Sequence, residues 1–115
     1  MNFFNDPSKI VIENRKVKDY LLNVAHPDGF SKANLFIRYG FRQDRPDDFI
    51  NSVIAHAQYS QVVSEFKTPF GRKIISEENL ETSIKKLLMF ISIWILLLES
   101  PMLVTLYPIK NDKRI

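Results

Sequence analysis

Residues 87–98 read LLMFISIWILLL, and after the break Glu99-Ser100-Pro101 the chain resumes as MLVTLYPI over residues 102–109. How this stretch folds decides the architecture. A membrane helix needs about 20 apolar residues, whereas a run of about 10–14 is more often a buried element. Extending the window through Ile109 supplies the length but puts Glu99 and Pro101 in mid-span. A central charge costs roughly 2.5–3.5 kcal/mol on insertion scales, which a long apolar run can absorb. The membrane helix therefore stands as the competing reading.

The other reading is a β-hairpin, and side-chain parity tests it. With Glu99 and Ser100 at the centre of an even-length turn, Trp94 faces Thr105, Ser92 faces Tyr107 and Ile93 faces Leu106. One face then collects Met89, Ile91, Ile93, Ile95 and Leu97 with Met102, Val104 and Leu106, all apolar. The other collects Ser92, Trp94 and Leu96 with Leu103, Thr105 and Tyr107, so the polar side chains fall together. A slip of one residue would scatter them over both faces. The hairpin is the preferred reading, with its first strand covered on both sides.

Working back toward the N-terminus, Gln61–Lys67 and Arg72–Ser76 are β-like and flank a turn at Thr68-Pro69-Phe70-Gly71. The polar stretch Glu77–Lys86 reads as a loop or a frayed helix. Pro46, with Asp47 and Asp48 after it, opens a helix with the apolar face Phe49, Ile50, Val53, Ile54 and Ala57. His56 flanks that face and reads as structural. A shorter helix, Lys32–Tyr39, is capped by Ser31 and stopped by Gly40, with a stripe of Ala33, Phe36 and Ile37 beside Leu35 and Tyr39. Asn14 caps a first helix carrying Val17, Leu21 and Val24 with Tyr20 alongside, and a turn at His26-Pro27-Asp28-Gly29 ends it. Ile10-Val11-Ile12 has the texture of a short edge strand. Helices first and strands last predict an α+β fold, N-terminal helices packed on a C-terminal antiparallel sheet of three to five strands.

The chain has 115 residues, which suits a single domain, with an ordered core expected over residues 10–109 and a mobile basic tail over 110–115. Apolar residues make up 45% and charged residues 25%, which excludes fibrous and largely disordered classes. There is no cysteine, so there is no disulfide scaffold, thiolate zinc site or Cys nucleophile. With only His26 and His56 as histidines, no metal or cofactor is expected. The start MNFFNDPSK lacks the basic opening and continuous apolar core of a signal peptide, so a cytoplasmic location is expected.

The segment His26–Lys32 is richest in reactive groups. Histidine is the usual acid or base near neutral pH, and lysine is a fixed cation for a phosphate or an oxyanion. The bland alternative is an ordinary inter-helix turn with Lys32 solvated. Lys32, Arg38, Arg42 and Arg45, opposed only by Asp44 and interleaved with Tyr39 and Phe41, form a basic stretch. Such a stretch can hold backbone phosphates and stack on a base, or serve simply as a solvated helix face. On the hairpin, Thr105 and Tyr107 hydroxyls beside Trp94 suit a nucleotide and its phosphate; the alternative buries Trp94 and Tyr107 under the helices.

Three segments carry a resemblance: residues 20–36, YLLNVAHPDGFSKANLF, with Gly40-Phe41 downstream; residues 69–73, PFGRK; and residues 92–95, SIWI, with residues 103–108, LVTLYP. In order and content they resemble an uncharacterised bacterial domain family. Its pattern is Leu-Leu-x-x-x-His-Pro-x-Gly-x-x-Lys-Ala-x-x-Phe, with a terminal Leu-Val-Thr-x-Tyr-Pro strand, found near or within toxin systems. The layout is also similar to the barnase–EndoU–colicin–RelE superfamily of ribonuclease toxins. That resemblance implies metal-independent RNA cleavage by attack of the 2′-hydroxyl on the adjacent phosphate. His26 would be the acid–base group, Lys32 and Arg38 the phosphate holders and Thr105 a positioning group, with Arg42, Trp94 and Tyr107 contacting RNA. The alternative is a non-catalytic module that binds a cognate protein, or a second copy, through the apolar C-terminal hairpin. A small membrane-anchored protein is the third and least favoured reading.

Overall fold

The computed structural model describes residues 3–26 and 30–109, with backbone alone at 30 and 31. The expected basic tail, 110–115, and the Pro27–Gly29 part of the expected turn lie outside these residues. Among the described residues a 3-10 turn (Pro7–Lys9) and three helices precede four strands: α1 (Asn14–Lys16), running on into a π-helical turn (Val17–Leu21), α2 (Phe30–Arg38) and α3 (Pro46–Tyr59). Then come β1 (Gln61–Thr68), β2 (Gly71–Glu81), β3 (Leu87–Leu97) and β4 (Ser100–Pro108). The strands form one antiparallel sheet in the order β1-β2-β3-β4. The fold is α+β, and the apolar end is a hairpin. No helix among the described residues is long and apolar enough to cross a membrane.

The helices arise as their spacing dictates, with local departures. α3 starts at Pro46 and buries Phe49, Val53 and Ala57, one residue per turn. α2 buries Ala33 and Phe36 but leaves Ile37 39% exposed, outside the stripe expected to contain it. Gly40, at φ +94°, ends it in the left-handed conformation that glycine tolerates, as expected. Asn14 is the first helical residue rather than the cap. The Leu22 N–H reaches back five residues to the Val17 carbonyl at 2.8 Å, so the last turn is wide. Val17 and Leu21 remain buried, whereas Val24 lies past the helix, half exposed. Val11 is a single parallel bridge to Met102, between the Pro101 carbonyl and the Leu103 N–H.

Glu77–Glu81 is not a loop. It continues β2 in pairing with Leu87–Ile91, burying Leu80 inward and leaving Asn79 and Glu81 exposed, the alternation of a half-covered strand. The hairpin register also differs from expectation. The two-residue turn is Leu98-Glu99, closed by Leu97 opposite Ser100, and Trp94 faces Leu103 rather than Thr105. A bulge then shifts the register, so that Ile93 faces Thr105, Ser92 faces Leu106 and Ile91 faces Tyr107. One extra residue reverses side-chain parity beyond it. Leu106 therefore joins the buried face, while Thr105 and Tyr107 leave it.

The buried face is the one carrying Ser92 and Trp94, together with Phe90, Leu103 and Leu106. Against it stand Phe36, Phe41 and Phe49, with ring centroids of Phe36 at 4.9 Å from Phe49 and 5.7 Å from Phe90. The opposite face, Met89, Ile91, Ile93, Ile95, Leu97 and Met102, is half-buried or exposed. Ser92 is compatible with the core because its hydroxyl is saturated. It accepts from Trp94 Nε1 at 2.8 Å and lies 2.8 Å from His56 Nε2. His56 Nδ1 faces the Glu78 carbonyl at 3.1 Å, so Nδ1 carries the proton and Nε2 accepts from Ser92.

His56 is thus a structural histidine tying α3 to β2 and β3, as its position on the helix suggested. Burial pushes its pKa below the ordinary 6.5, with the backbone carbonyls of Asn79 and Glu78 opposing that shift. The unfolded chain therefore binds this proton more readily than the folded one. Its contribution to stability is complete above the unfolded pKa and declines as pH falls from there through the folded pKa. Urea midpoints measured from pH 7.5 down to 5.5 are expected to fall, and His56→Gln is expected to flatten that slope.

Candidate functional site

A groove of about 680 Å³ opens between the first helix and β4. Its lining brings together His26, Lys32 and Thr105, the three residues expected to carry chemistry, with Glu13, Arg15, Lys16, Asp19, Tyr20 and Val104. Because α2 turns Ala33 and Phe36 into the core, Lys32 is left on its flank, half-buried. From there Nζ donates to the Thr105 hydroxyl at 2.7 Å, across 73 residues of sequence. The bulge in β4 falls next to Thr105, the kind of position where bulges re-aim side chains.

The groove is held together by long cationic side chains. Lys16 Nζ donates to the Val104 carbonyl at 3.1 Å, tying the first helix to the bulged strand. Arg15 lies 4.0 Å from Asp19, an exposed i,i+4 pair. Tyr20 packs edge-on against the His26 ring, with centroids 4.9 Å apart. Desolvation holds the Lys32 ammonium below the ordinary lysine pKa of 10.5. A half-buried cation whose described hydrogen bond goes to a neutral hydroxyl is well placed to receive an anion. Among the described residues no three His, Cys, Asp or Glu side chains converge as a metal site would require.

The residues expected to bind substrate are not all here. Trp94 is fully buried, with its ring 5.0 Å from Phe4 and its N–H on Ser92. It has no surface to offer a base, and its assignment to substrate is corrected to a core role. Arg42 is fully exposed and forked onto Asp44, at 2.9 and 2.7 Å, away from the groove. That pairing raises the Arg42 pKa and lowers that of Asp44. Arg38 is exposed in the last turn of α2, about 9 Å along the helix from Lys32 at about 1.5 Å per residue. Tyr107 is 39% exposed on β4, two residues beyond Thr105 but outside the groove lining.

The groove also contains residues that sequence reasoning passes over: Glu13, Arg15, Lys16, Asp19 and Tyr20. Arg15, Lys16 and Asp19 are the polar side chains of the first helix away from Val17 and Leu21, which in sequence look only like the back of a core element, while Tyr20 sits beside the apolar stripe. The π-helical turn over Val17–Leu21 spans Asp19 and Tyr20, and such turns recur at functional sites.

Among solved structures, the chain is similar to a chain of the contact-dependent growth inhibition toxin–immunity protein complex from Klebsiella pneumoniae 342. The TM-score is 0.72 at 19% identity, covering 90% of this chain and 97% of that one. At that identity the likeness is one of fold. No curated protein matches the chain. Over residues 4–110 it matches the family described as a domain of unknown function, DUF6883, and the chain belongs to that family.

Proposed function

We propose that the groove is the active site of a toxin-like endoribonuclease that cleaves RNA without a metal ion. The observation that carries this reading is the meeting of Lys32 and Thr105 at 2.7 Å in a groove that His26 also lines. A phosphodiester would sit against Lys32; Lys16 and Arg15 line the same groove from the first helix, their charge partly offset by Asp19 and Glu13. The His26 imidazole takes the proton of the 2′-hydroxyl, whose oxygen attacks the adjacent phosphorus. The bond to the 5′-oxygen breaks, and that oxygen leaves with a proton from Lys32, whose lowered pKa makes the ammonium a readier donor. Thr105 holds the Lys32 amine in place. Fold similarity to a chain of a toxin–immunity complex supports the same context, and there a protein partner is plausible.

The test is incubation of the purified chain with RNA in excess EDTA. Fragments ending in a 2′,3′-cyclic phosphate and a 5′-hydroxyl are expected. RNA left intact by folded protein would shift the assignment to a non-catalytic partner-binding module. The outer hairpin face would then be its binding surface, with Leu87 61%, Met89 41% and Leu97 44% exposed.

A further inference from the structure

Among the described residues nothing pairs with the sheet edge away from the groove. Among the strands, β1 pairs with β2 alone. Along β1 and its flanks, Tyr59, Val63, Phe66 and Phe70 are 79%, 48%, 45% and 80% exposed. Such an edge presents a row of unpaired N–H and C=O groups, a template for another strand. Bulges and charges are the usual guards against pairing, and β1 has both, but neither blocks it. The bulge between Val62 and Ser64 leaves residues 64–68 in unbroken register with β2. The charges on this segment, Glu65 and Lys67, are opposite in sign and two residues apart, hence on one face; Glu65 already meets Arg72 of β2 at 3.0 Å, and a carboxylate can accept from more than one donor.

We propose that β1 pairs antiparallel with β1 of a second copy of this chain, about a twofold axis at Phe66. In that register Glu65 of each copy faces Lys67 of the other, Ser64 faces Thr68, and the two Phe66 rings meet. Neighbouring registers that keep the same faces together fail on charge. Centring on Glu65 sets carboxylate against carboxylate, and centring on Lys67 sets ammonium against ammonium; like charges directly opposite are destabilising. Phe66, already flanked by Lys73 Nζ 5.6 Å from its ring centre, would gain a cross-strand aromatic partner on the outer face. The two four-stranded sheets become one. β4 is three strands away, about 14 Å at about 4.8 Å per strand, so both grooves stay open. This surface is distinct from the C-terminal hairpin considered from sequence.

The chain has no cysteine, so single-cysteine variants read the register directly. Under mild oxidation Phe66→Cys is expected to crosslink two chains, because directly opposed residues lie at about 4.5–5.5 Å between Cα atoms, within disulfide range. Ser64→Cys is expected not to, because it faces Thr68; the double variant Ser64→Cys/Thr68→Cys is expected to crosslink. By sedimentation, the unmodified chain is expected to show a concentration-dependent dimer. Lys67→Glu, which leaves the Glu65–Arg72 pair in place, should weaken it about tenfold or more by exchanging two attractive pairs between the copies for two repulsive ones. Glu65→Lys/Lys67→Glu should restore it. RNA cleavage by these variants is expected to be unchanged, which separates this inference from the nuclease reading. An unmodified chain that stays monomeric at every concentration, or crosslinking at position 64 rather than 66, would overturn the proposal.

Discussion

Lys32→Ala is expected to lower the rate of RNA cleavage by roughly 10²–10³-fold, the usual cost of removing one preorganised stabiliser of transition-state charge. His26→Ala is expected to lose roughly 10²–10⁴-fold, the range for general acid–base catalysis. The two should differ in their response to pH. With a lowered pKa, Lys32 gives up its charge earlier in the alkaline limb than an ordinary lysine does. The native rate should therefore fall on that limb, and Lys32→Arg, which keeps the charge but gives up no proton, should stay well below the native rate at every pH. Arg42→Ala, removing a side chain already committed to Asp44 and away from the groove, is expected to leave kcat unchanged. Single-turnover cleavage assays on variants with native circular dichroism check all four. A Lys32→Ala protein that cuts RNA at the native rate would sink the assignment of this groove.

The second large effect is on stability. Trp94→Ala is expected to cost about 3–5 kcal/mol, the range for truncating a buried large aromatic residue. Trp94 is fully buried against the Phe4 ring and also donates to the Ser92 hydroxyl shared with His56. The loss is a large part of the roughly 5–15 kcal/mol that holds a typical domain. Trp94→Phe separates the contributions, keeping much of the ring contact while removing the donor, and should cost less than Trp94→Ala. Chemical denaturation of the two variants beside the native chain gives both numbers. If Trp94 instead served RNA, the alanine variant would lose activity while keeping its denaturation midpoint.

Most of the architecture was legible because it rests on local rules. Pro46 and the two acids behind it mark a helix start wherever they occur, and Gly40 marks a helix end through its own backbone freedom. The antiparallel hairpin could be read from a nearly continuous apolar run broken at Glu99-Ser100-Pro101, whose few polar side chains fall on one face by parity. The Glu77–Glu81 segment was missed because its polarity suggested a loop, although Leu80 and Ser76 alternate with its exposed side chains as in a strand covered on one side. The groove was half legible. His26, Lys32 and Thr105 were recognised by chemical type and by resemblance, whereas Lys16, Asp19 and Tyr20 belonged to a helix whose polar face gave no distinctive pattern.

Local sequence rules were enough to place helices before an antiparallel sheet and to prefer pairing of the most apolar stretch with the strand immediately after it. Period, caps and turns act over a few residues and do not depend on distant parts of the chain. Tertiary structure decided which hairpin face is covered, because alternation divides side chains into two sets without saying where the helices will dock. The helices cover the set containing Ser92 and Trp94, where His56 saturates the serine hydroxyl. Tertiary structure also decided that a single bulge turns Thr105 out of that set, toward Lys32. A contact across 73 residues, made possible by one inserted residue, has no local signature; only packing α2 against the sheet brings its two ends together.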